Sequence, residues 1–444
     1  MLDFREVGGD LDTFRQKLGR RPTFDTHVLD EVAALVAKRA QALTKTQELQ
    51  TEKNQQNKTL SKIFKSGTDE EKAKARAAQK ALSDAIKENE DGATRIETEL
   101  HGLMLDIPNV PHDSVPDGED ESDNVVVRTW GQVPRFDFEP LDHVTIAEQG
   151  WRQIDFERAA KMSGARFSVS YDDVARLERA LANFMLDLHT HEHGYREVSV
   201  PYLVNTDALT TTGQLPKFEA DQFKVPFNES TDYWLIPTAE VPLTNLFADS
   251  IVEAELPLAF CAHTPCFRKE AGSAGRDTRG MLRQHQFHKV ELVRFAQPER
   301  SFDELEQLVS HAAAVLERLG LHHRVSLLCA GDMSANAAKC YDLEVWLPGQ
   351  SEYREISSCS NVTDYQARRG KIRFREGPKG KPKLVHTLNG SGVAIGRCAI
   401  AVIEQYQRAD GTVEVPEALR PYLGNRKSLG PSRNDRPKGN AKTT

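Results

Sequence analysis

Apolar residues recur at helical spacing, almost without a breaker, from residue 25 to residue 105. The first half carries Leu29, Val32, Val36 and Leu43. The second carries Leu82, Ile86, Ala93, Ile96, Leu100 and Leu103, a heptad-type series with one polar insert, Asn89. The run KSGTD at 65–69 interrupts the middle. Gly67 can end one helix and Thr68 or Asp69 can cap the next, with Glu71 and Lys72 in its opening turn. The spacing predicts an antiparallel two-helix hairpin with legs of roughly 35 residues, each about 50 Å long. Residues 1–24 read as a short helical lead-in.

After residue 105 the pattern changes. DIPNVPHDSVPDGEDESDNV at 106–125 is rich in Pro and Asp and reads as a linker. Val174, Leu177, Leu181, Phe184, Met185 and Leu188 share one face of a helix over 172–193, which Gly194 stops. Residues 195–201 alternate like a strand, and Pro201 suggests an edge or an interface. Further strand-like runs lie at 233–236, 259–266, 288–294, 324–328, 341–346 and 353–358, and a closing helix at about 396–407. Strands joined largely by turns, with helices flanking, predict an α+β fold on an antiparallel sheet; no GxGxxG fingerprint argues for a dinucleotide fold. Residues 425–444 are polar and basic and predict a disordered tail.

At 444 residues the chain exceeds one ordinary core, so two or more domains are expected. The net charge is −8, so any nucleic-acid contact must use a local basic patch. Between residues 38 and 80 there is one. Eleven basic residues (Lys38, Arg39, Lys45, Lys53, Lys58, Lys62, Lys65, Lys72, Lys74, Arg76, Lys80) face five acidic ones, a local excess of +6. On charge alone this is a solvated coiled-coil face; the alternative is an arm that lies along a phosphate backbone. No apolar run reaches the ~20 residues of a membrane span, and the N-terminal stretch lacks a secretory apolar core. Six cysteines without repeated spacing predict reduced thiols and a cytoplasmic location. Cys261, His263 and Cys266 invite a metal reading, but no second ligand pair follows, so a buried strand is preferred and no zinc is expected.

Residues 264–291 concentrate the chemistry: Arg268, Glu270, Arg276, Arg279, Arg283, Phe287 and Glu291 surround the small-residue run AGSAG at 271–275. Guanidiniums hold phosphate through charge-assisted hydrogen bonds, and an aromatic ring beside a carboxylate can stack on and read a purine. The composition predicts a nucleotide site on a hairpin, not a P-loop, since no GxxxxGK[ST] run occurs.

Several ordered strings carry a resemblance: IPNVPHDSVPDG, TGQLPKF (212–218), PTAEVPLTN (237–245), FRKEAGSAGRDTRGMLRQHQF (267–287), EISSCSNVTDYQARR (355–369) and HTLNGSGVAIGR (386–397). Together they resemble the class II aminoacyl-tRNA synthetases, and in detail the bacterial-type seryl-tRNA synthetases, over residues 1 to about 424. The resemblance implies a class II antiparallel catalytic domain at 126–424, preceded by a tRNA-binding domain at 1–105 with a coiled-coil arm. It implies activation of L-serine by ATP and transfer to tRNA(Ser), with tRNA(Sec) as a further candidate, by a homodimer joined through 172–201. Arg268 would clamp the α-phosphate and the serine carboxylate, and Arg397 the γ-phosphate. Glu270 would read adenine and Phe287 stack on it, with Lys269, Arg283, Ile356 and Ser357 also at ATP. Glu355 and Ser358 would hold Mg²⁺. Thr238, Ala239 and Glu240 would line the serine pocket, with Glu291, Ser391 and Asn389 at the hydroxyl.

Taken singly, each residue has a plainer reading: Glu291 pairing with Lys289 or Arg294, Arg397 as a helix-start arginine, Ser391 as a turn residue. Lys269, Thr211-Thr212 and Val362 depart from the family pattern, and none is expected to touch an assigned residue. Two other enzymatic or binding readings compete. A ligase that loads a carrier protein would lack the arm. An inactive paralogue acting as an RNA-binding module would have lost Arg268, Glu355 or Arg397, and all three are present. A coiled-coil scaffold would leave the other motifs without cause.

Overall fold

The computed structural model describes residues 1–228, 231–271, 280–377 and 379–431, apart from the side chains of 59–62 and 64. It separates into two compact units, Met1–Val110 and Pro111–Thr444.

In the first unit, two short helices, Phe4–Gly9 and Leu11–Leu18, are capped by the Asp3 and Asp10 carboxylates. They lead into α1 (Val28–Ser66) and α2 (Asp69–Asp106), which form the predicted hairpin with legs a few residues longer than expected. Gly67 ends α1, its amide bonding to the Ile63 carbonyl at 2.7 Å. Thr68 caps α2 in a capping box with Glu71, which satisfies two otherwise orphaned amides. Leu29, Val32 and Leu35 of α1 are buried, as are Leu82, Ile86, Ala93, Leu100 and Met104 of α2. Leu43, expected in the seam, is 44% exposed. The seam is polar near there: Asn89 of α2 donates to the Ala42 carbonyl at 2.7 Å and to Thr46 Oγ1 at 2.6 Å. A half-buried amide of this kind helps to fix the register of two helices.

The second unit is built on an antiparallel sheet flanked by helices. Among the described residues it has eight strands: β1 (Val125–Trp130), β2 (Arg196–Glu197), β3 (Leu258–Phe267), β4 (Gln286–Ala296), β5 (His323–Leu327), β6 (Lys339–Leu347), β7 (Glu352–Thr363) and β8 (His386–Ala394). Their order is β1-β5-β6-β7-β8-β4-β3-β2, and only the β2–β3 pair is parallel. Helices α3 (Asp172–His191), α4 (Ser301–Arg318) and α5 (Ile395–Gln405) supply buried apolar residues to one core with the sheet. All six residues that predicted α3 are buried in it.

Several expectations need correction. The strand over 195–201 contracts to the two residues of β2, because the chain leaves the edge of β3 before Pro201, which has no amide to donate. Of the expected strand at 233–236, residues 233–235 belong to Thr231–Leu235, which pairs with Leu203–Asn205 and Lys224–Asn228 in a separate small sheet. The 106–125 segment is no free linker: Ile107 and Asn109 are buried in the first unit, Val115 in the second, and its last residue opens β1. Residues 425–431 are not tail-like. Arg426 pairs with Asp173, and Ser428–Leu429 forms a short ladder with Val413–Glu414. The rest of the expected tail, 432–444, lies outside the described residues.

Helix α4 and strand β8 were not anticipated as elements. Gly390 and Gly392 disguise β8 as a loop, since glycine weakens strands. They are there for close approach: a Cβ on Gly390 would lie 2.7 Å from Cys359 Sγ, and one on Gly392 would lie 2.5 Å from His189 Nε2.

Candidate active site

The site opens on the middle of the sheet. On β4, Phe287, Lys289 and Glu291 fall at alternate positions and line one cavity. On β8, Asn389 and Ser391 line it too, and Ser391 is the cross-strand partner of Glu291. On β7, Glu355, Ile356, Ser358 and Ser360 join them, Ser360 opposite Asn389. The walls come from four other places: Thr238 and Glu240 at the start of the helix Glu240–Asn245, Arg268 and Glu270 just past β3, Arg283 just before β4, and Arg397 in the first turn of α5. The cavity is about 340 Å³. A wider one of about 770 Å³ shares Thr238, Glu240, Arg268, Glu270, Arg283 and Asn389 with it and adds Gly213, Gln214, Phe218 and Asp221.

Of the residues expected at the site, three do not line either cavity. Ala239 is fully buried behind the wall. Ser357, alternating inward on β7, donates to the Ser391 carbonyl at 2.6 Å and so fixes the strand rather than facing a substrate. Lys269 points outward, its ammonium 5.8 Å from the Phe223 ring centroid. Arg276 and Arg279 lie outside the described residues. Val362, expected to touch nothing assigned, lines the wider cavity beside Arg268, and the Thr212 carbonyl accepts from Gln366, which also holds Glu240.

The charged groups are held in place without substrates. Arg268 donates from Nε to the Pro237 carbonyl at 3.2 Å and lies over the Phe287 ring at 5.3 Å. Arg283 meets Glu270 at 2.7 Å. Arg397 reaches the Glu355 carbonyl at 2.6 Å and its carboxylate at 3.5 Å. Glu291 pairs with Lys289, as the plain reading allowed, while Arg294 turns away to Glu304 at 2.6 Å. The Glu291–Lys289 pair is buried and opens into the cavity, so it is no surface ion pair.

Sequence reasoning named Lys289 only as a pairing partner of Glu291, not as a site residue, and passed over Asp342. The alternation Phe287, Lys289, Glu291 could have found the first. Asp342 is the cross-strand partner of Ser358, and burial and then Glu355 push its carboxyl well above the usual range. Two carboxylates beside a hydroxyl are hard oxygen donors that suit a divalent cation, although among the described residues no three His, Cys, Asp or Glu groups form a cage of their own. Cys261 and Cys266 are fully buried in β3, where burial raises both thiols, Cys261 to about 12.

Glu240 is a strongly perturbed acid lining the pocket. Burial and then the nearby Glu291 charge raise its carboxyl to about 7, against bonds from Gln366 at 2.6 Å and Asn389 at 2.8 Å and the fields of Lys289 and Arg268. A raised folded-state value means that the native state holds the proton more tightly than the unfolded chain. Its stabilising effect is present below pH 4.5 and is lost as pH rises through about 7. Relative to Glu240→Gln, the unmodified protein should therefore lose on the order of 3 kcal/mol between about pH 5 and about pH 8. Urea midpoints of both proteins across that range check this; parallel curves would refute it.

Comparisons with known proteins identify the family. Residues 1–111 match the model of the seryl-tRNA synthetase N-terminal domain, and residues 223–406 that of the tRNA synthetase class II core domain (G, H, P, S and T). A serine–tRNA ligase of Thiobacillus denitrificans is 52% identical over 97% of this chain and all of its own length. One from Azotobacter vinelandii is 54% identical over the same shares. The crystal structure of seryl-tRNA synthetase from Pyrococcus horikoshii, complexed with ATP, superposes with a TM-score of 0.91 at 34% identity, covering 98% of this chain and 100% of that one. On fold and sequence alike, the chain belongs to the seryl-tRNA synthetases, a family of the class II aminoacyl-tRNA synthetases.

Proposed function

We propose that the protein activates L-serine with ATP to seryl-adenylate and diphosphate, then transfers serine to the 3′ end of tRNA(Ser), with tRNA(Sec) as a second acceptor. The observation that carries this reading is the meeting of Arg268, Arg397 and Glu355 with the Glu291/Ser391 pair around one cavity. The protein needs no nucleophile of its own. A serine carboxylate oxygen attacks the α-phosphorus, a bond forms there, and the bond to the diphosphate oxygen breaks. Catalysis then rests on placing the reactants and stabilising charge.

Arg268 lines both cavities, where it can hold the serine carboxylate and the α-phosphate together. Arg397, in the first turn of α5, takes the γ-phosphate. Phe287 stacks on adenine and Glu270 accepts from its amino group. Glu355 and Ser358, with Asp342 behind them, fit Mg²⁺, which when bound would neutralise phosphate charge. Thr238, Glu240 and Asn389 line the amino-acid end. Glu291 and Ser391 face the serine hydroxyl. Removing that hydroxyl would leave the Glu291 carboxylate short of a partner, so alanine is rejected. Glu291→Ala should then narrow the serine-over-alanine preference by about 100-fold or more, measured as the ratio of kcat/KM in pyrophosphate exchange; an unchanged ratio would move selectivity elsewhere.

The first unit is assigned to tRNA, contacting the long variable arm mainly by shape and backbone. We assign a homodimer in which the arm of one subunit serves the site of the other. Among the described residues no helix is long and apolar enough to cross a membrane, and the cytoplasm is the proposed location. Serine-dependent ATP–pyrophosphate exchange with Mg²⁺, with alanine, threonine and cysteine in parallel and tRNA(Ser) added afterwards, tests the reading. No exchange by folded protein with any of them would sink it.

A further inference from the structure

Glu270 has a backbone conformation that side chains avoid. Its φ is +52°, in the left-handed region, and it is neither Gly nor Asn. Such a residue persists only where its surroundings hold it, and it often marks a functional contact. Here the holding groups are identifiable. The Lys269 amide donates to the Asp221 carbonyl at 2.9 Å, and the Ala271 amide donates to the Asp221 carboxylate at 2.8 Å. Asp221 therefore bonds to both neighbours of Glu270. Arg166 approaches the Glu270 carbonyl at 3.4 Å, and Arg283 meets its carboxylate at 2.7 Å. Asp221 itself ends the short turn Glu219–Asp221, in the stretch whose Gly213, Gln214 and Phe218 line the wider cavity.

We propose that Asp221 is a positioning residue for nucleotide selection: by straddling Glu270 with two backbone bonds it holds that carboxylate at the adenine end of the cavity. The inference rests on the proposed reading of Glu270. A carboxylate accepting from a backbone amide makes a charge-assisted bond, stronger than a neutral one. Without it, residues 269–271 relax toward an ordinary φ and the Glu270 side chain swings off the base. The Lys269 bond uses the Asp221 backbone and survives substitution, so the fold of the turn is retained.

The test is ATP–pyrophosphate exchange with Asp221→Ala and Asp221→Asn. The alanine variant should raise the KM for ATP and reduce the preference for ATP over GTP, each by about 10-fold, the worth of one charged hydrogen bond. The KM for serine should stay within about two-fold. Asp221→Asn keeps an acceptor for the Ala271 amide and should restore most of both. In a Glu270→Ala background, Asp221→Ala should change the ATP:GTP preference no further, because Asp221 acts through Glu270. The proposal is overturned by an unchanged preference in Asp221→Ala, by equal losses for serine and ATP, or by an effect that persists undiminished without Glu270. Should the alanine variant not fold, Asp221→Ser, too short to reach the Ala271 amide, carries the same expectations. Absence of exchange in the unmodified protein would count against the proposed function instead. The anchor is then read from amide hydrogen exchange at Ala271, which Asp221→Ala should accelerate and which a dispensable Asp221 would leave alone.

Discussion

Arg268→Ala should lower serine-dependent pyrophosphate exchange by at least about a thousand-fold, the scale of losing a preorganised cation from a phosphoryl-transfer site. Arg268 lines both cavities, and its Nε bond to Pro237 and its place over Phe287 fix the guanidinium before substrates arrive. In the proposed mechanism it alone touches both reacting partners, so its loss removes orientation and charge stabilisation together. The fold should hardly notice, since the side chain is half-buried and its one hydrogen bond shown here goes to a carbonyl. Exchange assays paired with thermal unfolding check both halves. Exchange within ten-fold of the unmodified protein, about 1.4 kcal/mol, would remove Arg268 from the centre of the reaction.

Shortening the arm should separate the two half-reactions. Removing residues 38–80 outright would leave α2 without its partner, because Arg39 meets Glu97 and Asn57 meets Gln79 across the hairpin. A deletion of 47–88, closed by a short turn beside the Thr46–Asn89 bond, respects that register. It removes Lys53, Lys58 and Lys62 and leaves Lys38, Arg39 and Lys45. Two of the latter are already engaged, Arg39 with Glu97 at 2.6 Å and Lys45 with Glu48 at 3.5 Å. The deletion therefore tests Lys53, Lys58 and Lys62 together as phosphate contacts, the Lys62 side chain lying outside the described residues. Exchange with serine should be unchanged, while tRNA charging falls by about 100-fold, since several phosphate contacts each carry a share of affinity. Normal charging by the shortened protein would show that the arm is only a solvated coiled coil.

Local rules made the arm legible. A hairpin of two long helices needs only periodicity and a cap, and Gly67, Thr68 and Glu71 announce one. The site was legible as a set of residues because ordered motifs carry it, and the sheet brings most of them to one cavity. What could not be read locally was what the rest of the chain supplies. Gly390 and Gly392 look like loop residues until Cys359 and His189 press against them. The basic, Pro-containing run after 424 looks disordered until Arg426 finds Asp173, more than 250 residues earlier. Lys269 was placed at ATP by its neighbours in sequence, whereas its side chain points outward, towards Phe223.

The strand order sets a condition on how this protein is made. β8 is the last of the eight strands to leave the ribosome, yet it lies between β7 and β4 in the middle of the sheet. Until residues 386–394 emerge, the growing chain carries two sheet fragments with open inner edges, β7 on one and β4 on the other. Open edges are templates for pairing with other chains. A chain stalled or cut before residue 386 would be a hazard for aggregation, not a partly active enzyme. Synthesis must therefore have passed residue 394 before the protein can serve the synthesis of any other.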